Sequence, residues 1–322
     1  MTAEHPVPPH LRPAPRLRRR GFADRLTAPL PGVRDVARMM RELPPARELT
    51  AGAGTIPVRP GPLPAPGPGQ ASVTWVGHAT YVVRVGSLTV LTDPVWSRRI
   101  PGVRPRLTPV GVPWESLPRV DAVVISHNHY DHLDAPTIRR LPRETPVLVP
   151  AGLGRWFRRR GFRTVIERDW WESHQLGQIR FDFVPAHHWS RRGLFDACRS
   201  LWGGWVLSAA GGPRIYFAGD TGYGHFFGQI GARHRPVDLA MMPVGAYEPA
   251  WFMRPVHLDP EEAVRACDDL GATRMATMHW GTFLLSGEPV TEPPERAAKA
   301  WAAAGRARDD LWDLAIGESR TL

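Results

Sequence analysis

The stretch that decides the fold is Ser126-His127-Asn128-His129-Tyr130-Asp131-His132, a His-x-His-x-Asp-His pattern. Four metal-capable side chains fall within six residues. A buried imidazole needs a partner for each ring nitrogen that water no longer serves. Three His and an Asp packed into a core would leave several polar atoms unsatisfied at once, and coordinating divalent metal satisfies them together. His127 and His129 lie two apart and can converge on one ion. Asp131 and His132 fall on the following turn and can reach a second. The competing reading is a solvent-exposed, His-rich turn, so the motif needs context.

The flanks supply it. Asp121-Ala122-Val123-Val124-Ile125 is a short apolar, β-branched run, which predicts a buried strand ending where the motif begins. Asp134-Ala135-Pro136 reads as an N-cap with an early proline and starts a helix. The ligands therefore sit on a strand-to-helix loop held by two rigid elements. Three more strand-like runs end in a His or an Asp. Residues 179–184 alternate, with Ile179, Phe181 and Phe183 on one face, and lead into Pro185-Ala186-His187-His188-Trp189. Ile215-Tyr216-Phe217-Ala218 leads into Gly219-Asp220-Thr221-Gly222, and Met275-Ala276-Thr277-Met278 into His279-Trp280-Gly281.

This order of motifs resembles the metallo-β-lactamase superfamily. The resemblance implies an α/β fold, an αββα sandwich with its metal site along one edge of two sheets, here with an irregular N-terminal extension. Several segments resemble one branch more closely: Thr74-Trp75-Val76-Gly77-His78-Ala79, Leu91-Thr92-Asp93-Pro94, Asp169-Trp170-Trp171-Glu172, Phe217-Ala218-Gly219-Asp220-Thr221-Gly222-Tyr223, Pro243-Val244-Gly245-Ala246-Tyr247-Glu248-Pro249 and His279-Trp280-Gly281-Thr282-Phe283. That branch is the N-acylphosphatidylethanolamine-hydrolysing phospholipase D family, and the similarity spans about residues 73–294. The Gly-Ala-Tyr-Glu-Pro and His-Trp-Gly-Thr-Phe segments are far more specific to it than the shared metal motif.

The resemblance implies two Zn2+ per subunit. His127, His129 and His188 would hold the first, Asp131, His132 and His279 the second, with Asp220 bridging. His188 is preferred to His187 because the family places its ligand immediately before the Trp that matches Trp189. The implied activity is that of a di-zinc phosphodiesterase. It is phospholipase D-type hydrolysis of N-acylphosphatidylethanolamine to N-acylethanolamine and phosphatidic acid by a metal-bridging hydroxide, with Asp131 and His257 as catalytic residues. Zinc is the default for a His-rich, Cys-free ligand set, although manganese or iron suits the same donors. The family contains dimers, so a homodimer is compatible with the resemblance.

Other chemistries fit poorly. A phospholipase D built on His-Lys-Asp and a phosphohistidine is excluded, because the only Lys is Lys299, in an Ala-rich helical stretch. Cys198 and Cys267 are the only cysteines and neither sits in a nucleophile motif. A nuclease of this fold would welcome the net charge of +10, but no RNA-grasping insertion is visible, so no nucleic acid partner is expected. A non-catalytic binding protein predicts lost ligands, and all seven positions are filled. The alternative that stands is a hydrolase of the same fold acting on another phosphodiester, ester or lactone.

Substrate-side residues are read from position. His257 precedes Asp259-Pro260-Glu261-Glu262, an N-cap, first-turn Pro and acidic first turn, of a helix running to Gly271. A His just outside a helix start can approach a phosphate, and the resemblance puts an active-site His there. Tyr130 either contacts substrate or packs under the metal loop. Trp251-Phe252-Met253 and Phe226-Phe227 either line an acyl-chain groove or dip into the bilayer, and core packing explains them equally well.

Composition bounds the rest. The chain has 322 residues with 43% hydrophobic, enough for one catalytic domain over residues 71–322 behind a basic, Pro/Gly-rich extension and linker over residues 1–70. That extension holds eleven Arg and five acids, a net +6. Residues 57–69 read as an extended linker. Residues 33–43 predict a short amphipathic helix, with Val33, Val36, Ala37, Met40 and Leu43 on one side. Such an arm suits an anionic membrane surface presenting a phospholipid substrate, or else is a solvated extension. Two cysteines fit a reducing compartment, and no apolar run approaches the roughly 18 residues that span a bilayer. With no secretory h-region expected, the location is cytoplasmic, peripheral on the inner membrane face if the arm binds lipid.

Overall fold

The structure is a computed structural model describing residues 21–322; the Arg18-Arg19-Arg20 cluster of the arm lies outside the described residues. Two mixed, seven-stranded sheets with flanking helices form the expected αββα sandwich. The first holds β1 (Ala71–Gly77), β2 (Thr80–Val85), β3 (Leu88–Thr92), β4 (Ala122–Val124), β5 (Val147–Pro150) and β6 (Val165–Arg168) in that order. The second holds β7 (Ser173–Leu176), β8 (Ile179–Val184), β9 (Gly204–Ala209), β10 (Arg214–Phe217), β11 (Val237–Pro243), β12 (Ala272–Met278) and β13 (Leu311–Trp312). The last strand, β14 (Ser319–Thr321), returns to pair antiparallel with β1. Hairpin neighbours β1–β3 and β7–β10 pair antiparallel, whereas β3–β6 and β10–β13 are parallel and largely buried, except the half-buried edge strand β6.

The core between the sheets is dominated by large aromatics, among them Trp75, Tyr81, Phe181, Phe183, Trp205 and Phe217. The alternation along β8 places Ile179, Phe181 and Phe183 in it, with Arg180 outward. β4 is short and wholly buried, as its Ala-Val-Val sequence dictates. The helix after the metal loop is Ala135–Arg140, capped by the Asp134 carboxylate, which accepts from Thr137 N. The helix Pro260–Leu270 is capped the same way by Asp259, which accepts from Glu262 N, and ends at Gly271 in the left-handed region (φ 66°).

The described part of the extension is fastened to this body. Residues 57–67 form no helix and pair with the body through a bridge at Val58, and residues 68–69 turn into β1. Arg59 N donates to Ile316 O, Ile316 N donates to Pro57 O, and Pro64 O accepts from Ser72 and Arg84. The helix Val33–Glu42 forms where the amphipathic pattern predicts, with none of its residues buried. Ahead of it, Phe22 N donates to Cys198 O, and the buried Arg25 makes a two-pronged ion pair with Asp169 (2.5 and 3.1 Å) while lying 4.7 Å over the Trp170 ring. This pair pins residues 21–26 across 144 positions of sequence.

Removing one partner of a buried ion pair leaves an uncompensated charge, at a cost of about 3 kcal/mol. Arg25→Ala should lower unfolding free energy by about that much in urea titration. Adding Asp169→Ala should then cost far less than Asp169→Ala does in the natural chain. Additive losses would show that the two groups do not act as a pair.

Candidate metal centre

The strand ends that carry the site are held by the polar tips of core aromatics. Trp205 Nε1 donates to Ile125 O, one residue before Ser126. Trp202 Nε1 donates to Ala186 O, ahead of His187 and His188. Tyr81 Oη donates to Thr277 O, ahead of His279, and Trp75 Nε1 donates to His78 O. A buried indole N–H or phenol must find an acceptor, and here the acceptors are the carbonyls of the turns that leave the sheets. Gly219 brings the Asp220 loop against the motif. Its φ is 63°, and a Cβ there would fall 2.5 Å from Ser126 Cβ.

These turns bring His127, His129, Asp131, His132, His188, Asp220 and His279 into one cluster. His129 Nδ1 lies 2.9 Å from His127 Nε2 and 3.2 Å from His188 Nε2. On the other side, Asp131 Oδ2 lies 3.5 Å from both His132 Nε2 and His279 Nε2. Asp220 stands between the groups. Its Oδ2 is 3.1 Å from His132 Nε2 and 3.9 Å from both His127 Nε2 and His188 Nε2, and its Oδ1 is 3.2 Å from His279 Nε2. Donors about 2.0–2.1 Å from a tetrahedral ion stand roughly 3.3 Å apart, so both groups have the spacing of a metal's ligands.

The second ring nitrogens fix which atoms face inward. His127 Nδ1–H donates to Ser126 Oγ (2.9 Å), whose hydroxyl donates to Asp93 Oδ2 (2.5 Å). His132 Nδ1–H donates to the same Asp93 oxygen (2.7 Å), and His188 Nδ1–H to Val256 O (3.0 Å). Each bond occupies Nδ1 and turns Nε2 towards the cluster. His132 Nε2, His279 Nε2 and Asp220 Oδ1 are buried without a hydrogen-bond partner, which the donor set of a metal site explains.

The electrostatics favour positive charge. Burial opposes ionisation, yet the surrounding imidazoles hold the Asp131 and Asp220 carboxyls well below the usual range. Against burial, Asp220 and Asp131 raise His279 to about 9 and His132 well above an ordinary imidazole. Among His127, His129 and His188, burial dominates and pushes all three down, His129 to about 4. Neutral imidazoles on one side and paired carboxylates on the other suit two divalent cations.

Two residues without a role in the sequence reading complete the arrangement. Asp93, wholly buried, braces one ligand from each group through the hydrogen bonds above. His78 Nε2 lies 3.0 Å from Asp131 Oδ2, with its ring 4.1 Å from that of His279. Both follow the pattern of a polar residue where a strand runs out, after β3 and β1, which is the signal that marks Asp220 and His279. Among the described residues, four of the six non-glycine residues with positive φ (His78, Asp93, Ala246 and His279) border the site, the usual place for backbone strain.

The cluster floors a cavity of about 470 Å³. Residues 26–31 and Met39 form one wall, and Trp251, Phe252, Met253 and Leu285 another. His257 borders it, half-buried, with its ring 5.2 Å from that of His188 and 5.6 Å from that of His279 and with Nδ1 unpartnered. Tyr130 is not among the lining residues. Its hydroxyl donates to Arg192 O, and the Arg192 guanidinium lies over its ring. His187 packs its ring against Phe226 (4.7 Å), and Phe226 and Phe227 are core residues. Tyr247 Oη donates to Glu292, and the buried Glu288 carboxylate accepts from Ala246 N and Glu248 N, so this segment frames the cavity.

Comparison with known proteins fits this geometry. A model of the beta-lactamase superfamily domain matches residues 89–280, and the chain is a metal-dependent hydrolase of that superfamily. The chain is 45% identical over 263 residues to an uncharacterised protein of Mycobacterium tuberculosis, covering 76% of this chain and 69% of that one. It is 37% identical over 262 residues to N-acyl-phosphatidylethanolamine-hydrolyzing phospholipase D 1 of Caenorhabditis elegans (76% of this chain, 72% of that one). Within the superfamily the chain belongs to the N-acylphosphatidylethanolamine-hydrolysing phospholipase D family. A metallo hydrolase of Ignicoccus hospitalis shares the fold, with a TM-score of 0.61 at 23% identity over 79% of this chain and 98% of that one. Among the described residues no helix is long and apolar enough to cross a membrane.

Losing an outer carboxylate that orients a metal-binding imidazole typically costs about 10- to 100-fold in metal affinity. Asp93→Asn should weaken metal retention by roughly that factor in dialysis against a chelator followed by elemental analysis. Unchanged retention would remove Asp93 from the account of the site.

Proposed function

We propose that the protein is a di-zinc phosphodiesterase that hydrolyses N-acylphosphatidylethanolamine to phosphatidic acid and an N-acylethanolamine. One observation carries the reading. Two ligand groups joined by Asp220 lie at the floor of a cavity whose walls are apolar, with Leu26, Leu30, Met39, Trp251, Phe252 and Leu285 among them. A phosphodiester bearing acyl chains has the matching shape, with charge at one end and hydrocarbon at the other.

His127, His129 and His188 would hold one zinc and Asp131, His132 and His279 the other, with Asp220 shared. When bound, the pair supplies a water of lowered pKa and positive charge against the phosphoryl oxygens. The chain's own groups do the rest. The apolar walls seat acyl chains and exclude water, which strengthens every electrostatic contact at the floor. The His257 imidazole lines the cavity beside His188 and His279, in place to hydrogen-bond a phosphoryl oxygen or the departing ethanolamine oxygen. No enzyme nucleophile is required, consistent with Cys198 and Cys267 both being buried. The substrate would be met at an anionic membrane surface, which the Arg-rich N-terminal arm suits. The reading places the protein in the cytoplasm at the inner membrane face, acting alone or as a homodimer and without nucleic acid.

The test is mass spectrometry of products after incubating zinc-loaded protein with N-acylphosphatidylethanolamine in mixed micelles. Phosphatidic acid plus N-acylethanolamine is the expected result. Absence of turnover, by protein that retains two metals and hydrolyses a generic phosphodiester, would overturn the substrate and leave another phosphodiester, ester or lactone. In the same assay His257→Ala should lower turnover by about 10²- to 10⁴-fold with metal content unchanged. Parallel loss of metal would make His257 a ligand instead.

A further inference from the structure

The large exposed hydrophobic side chains of the described residues fall into two groups. Among the described residues seven are exposed: Leu30, Val33, Val36, Met40, Leu194, Phe195 and Trp251. Leu30 and Trp251 line the cavity over the metal centre. Val33, Val36 and Met40 project from the helix Val33–Glu42, whose Asp35 and Met39 line the same cavity. That helix is tied to the opposite wall: Trp251 Nε1 donates to Glu42 (2.6 Å), and Arg38 lies 4.2 Å over the Trp251 ring. The remaining two sit on loop 191–196, which leaves the cavity wall just after Trp189. Leu194 is 78% and Phe195 88% exposed.

This loop is built to hold that exposure. Asp196 Oδ1 accepts from both Arg192 N and Gly193 N (3.0 and 2.7 Å), closing a turn that projects Leu194 and Phe195. Its root is braced on the metal loop: Arg192 Nη1 donates to Asn128 O and Leu133 O, and Arg192 O accepts from Tyr130. The flanks are cationic, with Arg191 and Arg199 exposed. Two protruding apolar side chains between arginines match a lipid surface, where the side chains enter the acyl boundary and the guanidiniums meet anionic headgroups. A protein partner would be met by a broader, flatter patch.

We propose that loop 191–196 is a lipid anchor, inserting Leu194 and Phe195 into an anionic bilayer so that the cavity rim formed by Leu30, the helix Val33–Glu42 and Trp251 lies on the same surface. The inference rests on the phospholipid reading above and adds to it the surface through which substrate is reached. It also explains why a loop with no part in metal binding is braced by the metal loop. An anchor must be fixed relative to the site it serves.

The experiment uses the full chain. Because Cys198 and Cys267 are buried, a cysteine introduced as Phe195→Cys can be labelled with an environment-sensitive fluorophore, with Ala304→Cys on an exposed turn as the control. On adding phosphatidylcholine vesicles doped with phosphatidylglycerol, the probe at 195 should brighten and be quenched by brominated lipid, and the probe at 304 should do neither. The pair Leu194→Ser with Phe195→Ser should weaken vesicle co-sedimentation by roughly tenfold or more. An unresponsive probe at 195 on protein that still sediments with vesicles would overturn the proposal, as would absence of vesicle binding. A dimer converted to monomer by the Ser pair, with vesicle binding unchanged, would assign the loop to self-association. Insertion by a protein that fails to cleave N-acylphosphatidylethanolamine would uphold the anchor and reject only the substrate.

Discussion

The buried carboxylate of Asp93 sets the constraint on which the site depends. It accepts from Ser126 N and Ser126 Oγ and from His132 Nδ1, and Ser126 Oγ in turn accepts from His127. One group thereby orients an imidazole on each side of the cluster and turns both Nε2 atoms inward. A buried anion is costly unless it is fully hydrogen-bonded, so the arrangement holds only while the motif loop keeps its place. The core keeps it there. Four buried aromatics donate to carbonyls at the strand ends around the site, three of them just ahead of a ligand, so the packing of the sandwich and the geometry of the site are one set of contacts.

The same logic explains where strain accumulates. His78, Asp93, Ala246 and His279 adopt backbone conformations that favour glycine. Each stands where a chain leaving a sheet must turn sharply towards the cluster. The surrounding hydrogen bonds over-determine these turns: His279 N donates to His78 O, His78 N to Thr282 Oγ1, and Ala246 N to Glu288. Glu288 is a structural counterpart of Asp93 on the cavity side, a buried carboxylate holding a frame of backbone amides.

The ligand-bearing elements were legible because their signal is local. Ile179, Phe181 and Phe183 alternate, and the apolar runs before His127, Asp220 and His279 stop within one residue of the strand's end. The helix starts at Asp134 and Asp259 follow from capping chemistry that a few residues contain. The roles of Asp93 and His78 were not legible from the residues, because their hydrogen bonds reach across 33 and 53 positions. Residues 26–31 carry no periodicity at all, and long-range contacts, the Arg25–Asp169 pair and the Phe22–Cys198 hydrogen bond among them, hold them in place as a cavity wall. Tyr130 shows the limit from the other side. Its place in the metal loop left substrate contact and packing equally open, and its hydroxyl is spent on Arg192 O, a residue 62 positions away.

The central claim is that the converging side chains form two adjacent metal sites sharing Asp220. Anomalous diffraction from crystals of the zinc-loaded protein, recorded on either side of the metal absorption edge, tests it most directly. The account requires two peaks, one enclosed by His127, His129 and His188 and the other by Asp131, His132 and His279, with Asp220 touching both. A single peak, or two peaks of which neither touches Asp220, would contradict it.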